Sequence, residues 1–380
     1  MCNKMATLCN KLCPVCSIFV CNSGTSTNKL YYEMNFQILL GILLIALGAF
    51  SSGSFAVPFG KIKGWKWETY WMIFSFGAYI LFPLTACFVF APDFVEIIKA
   101  TSSDTVITVF LLGAVYGIGN LSFGLALRYL GLSLGYALAL GLMLAIGTLI
   151  PPIIDGRLQV MMEKSGGTLL IMGVIVACLG IALSAWSGIL KDKSVSQAKK
   201  QESIGEFNLV KGALAAVLVG ITGSAMSLGF EQGIPISDMA AKNGVDPLFT
   251  MMPVLIVLFS GTFVTTIIWC TFLGYKNNSL KDYGHAESSI QLTYNYLYGL
   301  LAGVLWFGQF IVYGMGKSKM GPFTFTSWGI LMALTIVFAT VWGLMRNEWK
   351  GAPRKVYVLM VLSLVIIIVS SFMIGISGSE

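Results

Sequence analysis

Ten apolar runs of roughly 20 residues, separated by short polar stretches, organise the chain. They fall near residues 37–57, 70–91, 106–127, 132–153, 168–187, 210–229, 248–273, 293–315, 322–344 and 355–375. A helix of that length rises far enough to cross a hydrocarbon core of about 30 Å. The runs are continuous, whereas the strands of a membrane β-barrel would be about ten residues long and alternate apolar with polar. The pattern therefore predicts an all-α polytopic membrane protein with ten transmembrane helices.

Composition agrees. Of the 380 residues 56% are hydrophobic and only 11% charged, with a mean hydropathy of +0.82; soluble domains carry about 25% charged residues. Lysines and arginines divide unevenly between the connections. The odd-numbered loops hold fifteen of them, from Lys61 to Lys355, and the even-numbered loops six: Lys99, Arg157, Lys164, Lys242, Lys317 and Lys319. Because cytoplasmic loops retain positive charge, the odd loops are expected inside and both termini outside, although Lys4, Lys11 and Lys29 in the N-terminal tail pull weakly the other way. The net charge of +7 then reflects topology. Nucleic acid is not expected as a partner, since no segment offers a clustered basic reading element.

The most hydrophilic connection, residues 188–209, divides the helices evenly. Five is odd, so a duplicated five-helix unit meets the membrane in opposite orientations, giving two inverted repeats over residues 34–187 and 210–380. Loop lengths support the duplication: very short links around Arg128 to Gly131 and around Lys317 to Gly321 tie the third helix to the fourth and the eighth to the ninth.

Residues 1–33 are expected to be a disordered extension or a misassigned start ahead of Met34. Five of the eight cysteines lie there, Cys13 and Cys16 in a CPVC arrangement, but a second CxxC and a nearby histidine are missing, so a metal site is not expected. Cys87, Cys178 and Cys270 read as small packing residues in apolar runs. The single histidine, His285, lies in a charged loop, so HExxH sites and serine–histidine triads are not expected to assemble. There is no P-loop. Neither an enzyme nor a cofactor is expected.

The candidate chemistry is polar groups inside apolar helices. Gly113, Gly117, Asn120 and Gly124 fall within about 60° on a helix wheel, which puts Asn120 in a stripe of small residues where another helix can approach. An uncharged hydrogen-bonding group there suits a polar, neutral solute. Trp306, Gln309 and Tyr313 share a second face, also within about 60°, with Gly299, Gly303 and Phe310; an aromatic plane beside an amide is chemistry for a sugar ring and its hydroxyls. Proton coupling calls for a carboxylate whose pKa is raised by burial. No acid lies at mid-span; Glu68, Asp155, Glu231 and Asp246 stand at or near helix ends. Glu231 is the first choice, because it follows the sixth helix and precedes the break at Gly233 and Pro235. Glu68, beside Lys61, Lys63 and Lys66, is expected to be solvated or to form a gating salt bridge. Arg128 is expected to snorkel from the third helix to the headgroups or to act at a gate or on substrate. Pro83 and Pro253 are expected to kink their spans.

From about Asn35 to Gly375 the chain resembles the L-rhamnose–proton symporters, a branch of the drug/metabolite transporter superfamily. The resemblance is carried by WKWETYW (Trp65 to Trp71), GAVYGIGNLSFGLALRYLGLSLG (Gly113 to Gly135), FNLVKG (Phe207 to Gly212), GVDPL (Gly244 to Leu248), the Trp306, Gln309 and Tyr313 pattern, and Ser327 with Trp328. It implies a ten-helix inner-membrane carrier that takes up a 6-deoxyhexose with protons. With it, the substrate-binding candidates are Tyr116, Asn120, Trp306, Gln309, Tyr313, Ser327 and Trp328, and the coupling or gating candidates Glu231, Glu68 and Arg128. The chain departs from the family pattern at Thr324, where an acid is expected, and at Glu231, where an amide is expected. Both changes bear on the proton, so a carrier or exchanger of a different small polar metabolite is the alternative. A non-transporting sensor finds no support, since no sizeable soluble domain would transmit a signal.

Overall fold

The structure is a computed structural model that describes residues 25–154, 167–195, 206–320 and 327–377. The five tail cysteines, Asp155 and Thr324 lie outside the described residues. All regular structure among those described is helical: α1 (Thr25–Ser54), α2 (Trp67–Phe76), α3 (Phe82–Phe90), α4 (Phe94–Ala100), α5 (Ser103–Ile154), α6 (Gly167–Ser194), α7 (Leu209–Gln232), α8 (Ile234–Lys242), α9 (Met252–Lys276), α10 (Ser289–Ser318), α11 (Ser327–Met345) and α12 (Arg354–Ser377).

Among the described residues eight helical stretches are long and apolar enough to cross a membrane, against ten apolar runs in the sequence. Two local features account for the difference. The third and fourth runs lie in the 52-residue α5, which is broken at Gly131 by φ 81° and ψ −179°. The ninth run yields α11, whose apolar stretch Ile330–Met345 is shorter than the rest.

Other boundaries also shift. α1 starts at Thr25, inside the expected N-terminal extension, and α6 runs on to Ser194, inside the expected linker. Pro83 lies just beyond a π-helical turn at Gly77–Leu81 that joins α2 to α3; having no N–H to donate, proline disturbs the turn before it. Pro253, expected to kink a span, instead occupies the first turn of α9, where its missing N–H leaves no vacancy in the ladder.

α5 and α9 approach closely enough for their backbones to touch. A Cβ on Gly113 would fall on the backbone of Leu258, and one on Gly261 on the backbone of Phe110. That proximity lets Thr262 Oγ1 donate to the Gly113 carbonyl at 3.0 Å and Thr265 Oγ1 to that of Ala114 at 2.8 Å. The small-residue stripe is thus interior, as its periodicity requires. Large apolar side chains such as Leu179, Ile268, Leu297 and Val361 are exposed on the outside of the bundle, where lipid would cover them.

The odd-numbered loops gather at one end. The Trp65 indole donates to the His285 carbonyl at 3.2 Å, and the Lys66 N–H to Asp282 at 3.1 Å, tying the first loop to the seventh. The Asn208 N–H donates to the Tyr129 carbonyl at 3.0 Å, tying the fifth to the third. The positively charged loops therefore share one face.

Candidate functional site

A cavity lies between the helices, walled by α1, α5, α7, α10 and α11. Five residues expected from sequence line it: Tyr116, Asn120, Trp306, Gln309 and Trp328. Asn120 is 3% exposed, and its amide nitrogen has no hydrogen-bond partner among the described residues. A buried amide left so costs about 1–3 kcal/mol. Gln309 is also buried; its Nε2 donates to the Trp306 carbonyl at 2.9 Å. Trp306 is held edge-on by Tyr79 at 4.9 Å, Phe259 at 5.2 Å and Phe310 at 5.3 Å between ring centroids, so its orientation is fixed by packing. No carboxylate lines this cavity among the described residues.

The two remaining substrate candidates stand apart. Tyr313 lines a neighbouring cavity together with Lys317 and Leu248, at the even-loop end, and meets Trp328 edge-on at 5.5 Å. Ser327 is fully buried, its hydroxyl has no hydrogen-bond partner among the described residues, and it lines neither the central cavity nor those at the two loop ends. Phe310 and Trp328 belong to both the central and the even-loop cavity and form the partition between them.

Toward the odd-loop end the partition is thicker. Phe55, Phe123 and Tyr136 face the central cavity, and Phe59, Trp67 and Trp71 face a cavity at the odd loops. Between them the rings interlock: Phe55 lies 6.1 Å from Phe59 and 6.5 Å from Trp71, and Trp67 stacks on Trp71 at 5.1 Å. Gly124 makes room for this plug, since a Cβ there would approach both indoles to 2.7 Å. The central cavity measures about 50 Å³, against about 330 Å³ at the odd-loop end and about 470 Å³ at the even-loop end.

The charged candidates are placed differently from expectation. Glu68 is 3% exposed, neither solvated nor paired to a neighbouring lysine; its Oε1 accepts from Ser279 Oγ at 2.6 Å and Asn277 Nδ2 at 2.9 Å. The first turn of α2 points this carboxylate into the seventh loop, where Lys66 Nζ donates to the Asn277 carbonyl rather than to Glu68. Arg128 neither snorkels freely nor reaches the central cavity. It lines the odd-loop cavity and forms a two-point pair with Glu206, at 2.8 Å through Nε and 2.5 Å through Nη2. Glu231 stands in the last turn of α7, as expected, and lines none of the three cavities.

Sequence reasoning missed Ser52 and Tyr136, whose hydroxyl donates to the Ser52 carbonyl at 2.8 Å on the cavity wall. The cluster Ser51, Ser52 and Ser54 inside the first apolar run was the available signal. It also missed Glu348, buried in the ninth loop with Oε1 accepting from the Leu132 N–H at 2.8 Å and Oε2 from the Ser133 N–H at 3.1 Å.

A family model described as L-rhamnose-proton symport protein matches residues 34–379. The chain belongs to this family. Among its relatives, proteins named L-rhamnose-proton symporter from Yersinia pestis (strain Pestoides F) and from Klebsiella pneumoniae subsp. pneumoniae are 33% and 35% identical to it, each over 90% of this chain and 98% of the relative. No solved structure matches. The family match takes in every helix from α2 to α12, and the cavity residues that α1, α5, α7, α10 and α11 contribute all fall within it. Members are named as symporters, so this is a family of carriers rather than enzymes.

Proposed function

We propose that this protein takes up L-rhamnose, or a related 6-deoxyhexose, with protons across the bacterial inner membrane by alternating access. The observation that carries the reading is the central cavity, where the unpartnered Asn120 amide, the Gln309 amide and the Trp306 ring converge without a charge. Amides exchange hydrogen bonds with hydroxyls in either direction, and an indole face suits the C–H face of a pyranose. Sugar-sized ligands occupy pockets of about 300–1,000 Å³, so the cavity of about 50 Å³ has to widen. The thin Phe310 and Trp328 partition yields toward the even loops, and the aromatic plug yields toward the odd loops.

On this reading the chain crosses the membrane ten times, α5 passing twice about Gly131 and α11 once, as two inverted five-helix repeats over residues 34–187 and 210–380. Residues 1–33 precede the first repeat, and 188–209 link the two. The odd-loop face is cytoplasmic and both termini periplasmic, by the distribution of lysine and arginine. Tyr116, Tyr313, Ser327 and Trp328 complete the sugar path. Glu231, at the helix end facing the even loops, takes up the proton, while Glu68 and the Arg128 pair hold the odd-loop gate.

Purified protein in liposomes tests this. Acidifying the outside should drive accumulation of labelled L-rhamnose above the bath concentration. Failure to accumulate any deoxyhexose would instead favour a carrier or exchanger of another small polar metabolite. Persistence of the same pH-gradient dependence in Glu231→Gln would remove Glu231 from the mechanism.

A further inference from the structure

The ninth loop reaches back to the break in α5. Glu348 is 5% exposed, and each of its carboxylate oxygens accepts a backbone N–H from the first residues after Gly131, Leu132 and Ser133. Those N–H groups begin a helical segment and have no partner within it, so an anion is favoured there. Gly343 allows the approach, since a Cβ on it would come within 2.6 Å of Oε2 and 2.8 Å of the Ser133 Cβ. The same segment carries Tyr136, Leu140 and Met143, one to three turns further on, and all three line the central cavity. One carboxylate thus joins the odd-loop end of α11 to a wall of the central site.

Its surroundings are cationic and aromatic. Lys191 of α6, 1% exposed, has its ammonium 4.7 Å from the Trp349 ring and 5.2 Å from that of Phe207. Arg346 of the same loop lies against Gly60, and Arg128, paired with Glu206, and Tyr70 share the odd-loop cavity with Glu348. That cavity of about 330 Å³ gives the carboxylate a polar opening on the odd-loop side.

We propose that Glu348 is a proton-sensitive latch on the odd-loop gate: as a carboxylate it holds the start of the Leu132 segment and keeps the aromatic plug closed, and on taking a proton it lets that segment move. A protonated oxygen becomes a donor and a much weaker acceptor, so its hold on the facing N–H loosens. Burial holds this carboxyl above the usual carboxylate range, against the opposing pull of the two N–H groups, Lys191 and Arg346, so the release falls nearer neutrality than it would for a solvated acid. The latch deepens the proposed proton–sugar transport and adds a site on the face opposite Glu231.

The test uses the full chain in nanodiscs and liposomes. In the wild type, amide hydrogen exchange at Leu132 and Ser133, corrected for intrinsic rate, should accelerate as pH falls. In Glu348→Gln it should be about tenfold faster and flat with pH, while Glu231→Gln keeps the wild-type pattern. Glu348→Gln should still exchange labelled rhamnose across the membrane at equal concentrations and lose most uphill accumulation. Gly343→Ala, which wedges the contact without altering charge, should reproduce the faster exchange if Glu348→Gln does not fold. Wild-type protection at Leu132 and Ser133 in both variants, or pH-independent protection in the wild type, would overturn the latch. A wild type that moves no rhamnose at all sinks the transport reading, and the exchange measurement still decides the latch.

Discussion

Arg128 and Glu206 clasp each other through two parallel hydrogen bonds, joining the end of the first half of α5 to the segment that leads into α7. The arginine side chain is 32% exposed and the glutamate 52%, so water and salt screen the pair. Exposed pairs contribute about 0–1 kcal/mol, and two-point arginine–carboxylate geometry places this one toward the upper end of that range. Glu206→Ala should therefore lower thermal stability by no more than about 1 kcal/mol, and the loss should shrink in high salt. A larger, salt-independent loss in a detergent melting assay would show that the pair is effectively buried.

Asn120 offers a sharper contrast between stability and binding. Its amide nitrogen has no partner among the described residues, so Asn120→Leu removes a buried polar cost of about 1–3 kcal/mol. The variant should melt at or above the wild-type temperature. Rhamnose affinity should nonetheless fall about tenfold, the loss of one good hydrogen bond of about 1.5 kcal/mol. Calorimetric titration of the purified variant, beside its melting curve, decides it. A variant that loses stability and binding together would make Asn120 a packing residue.

Glu68 should behave in the opposite way. Replacing it with alanine leaves the Ser279 hydroxyl and the Asn277 amide without their acceptor, at a cost of about 1–3 kcal/mol. Because the residue lines none of the three cavities, sugar affinity should be unchanged. Glu68→Gln, which keeps an acceptor oxygen, should recover part of the stability. Thermal unfolding of the two variants, compared with rhamnose titration, separates this from a substrate contact.

What the sequence revealed and what it hid follow from periodicity. Asn120 and Gln309 could be read because each sits on a helical face whose spacing repeats along a single run, and both line the central cavity. Tyr313 shares the face of Gln309 but lies a turn further along, and a wheel carries no depth, so it falls beyond the Trp328 partition. Glu68 was misjudged because neighbours in sequence suggested three lysines, whereas its partners Asn277 and Ser279 lie more than two hundred positions away. Glu348 left no signal, since an acid in the segment RNEWKG reads as a solvated loop until folding brings it to Leu132 and Ser133. The helix count differed at two places, where Gly131 turns the chain without a loop and where the apolar stretch Ile330–Met345 falls short.

That turn supplies the last prediction. Gly131 combines φ 81° with ψ −179°, a region that is open in practice only to glycine, because a Cβ on an L-residue would collide with the backbone. It differs from the left-handed helical region, which asparagine tolerates. Gly131→Ala and Gly131→Asn should therefore be damaging to a similar degree, each by about 1–3 kcal/mol, whereas a left-handed helical position would show asparagine rescuing much of the loss. The strain would be relieved most directly by rotating the peptide that presents the Leu132 N–H, the donor to Glu348 Oε1 at 2.8 Å. Both variants should then melt earlier and also exchange the Leu132 amide faster than the wild type. Asparagine performing clearly better than alanine in the melting assay would mean that the chain turns at this point through a different backbone conformation.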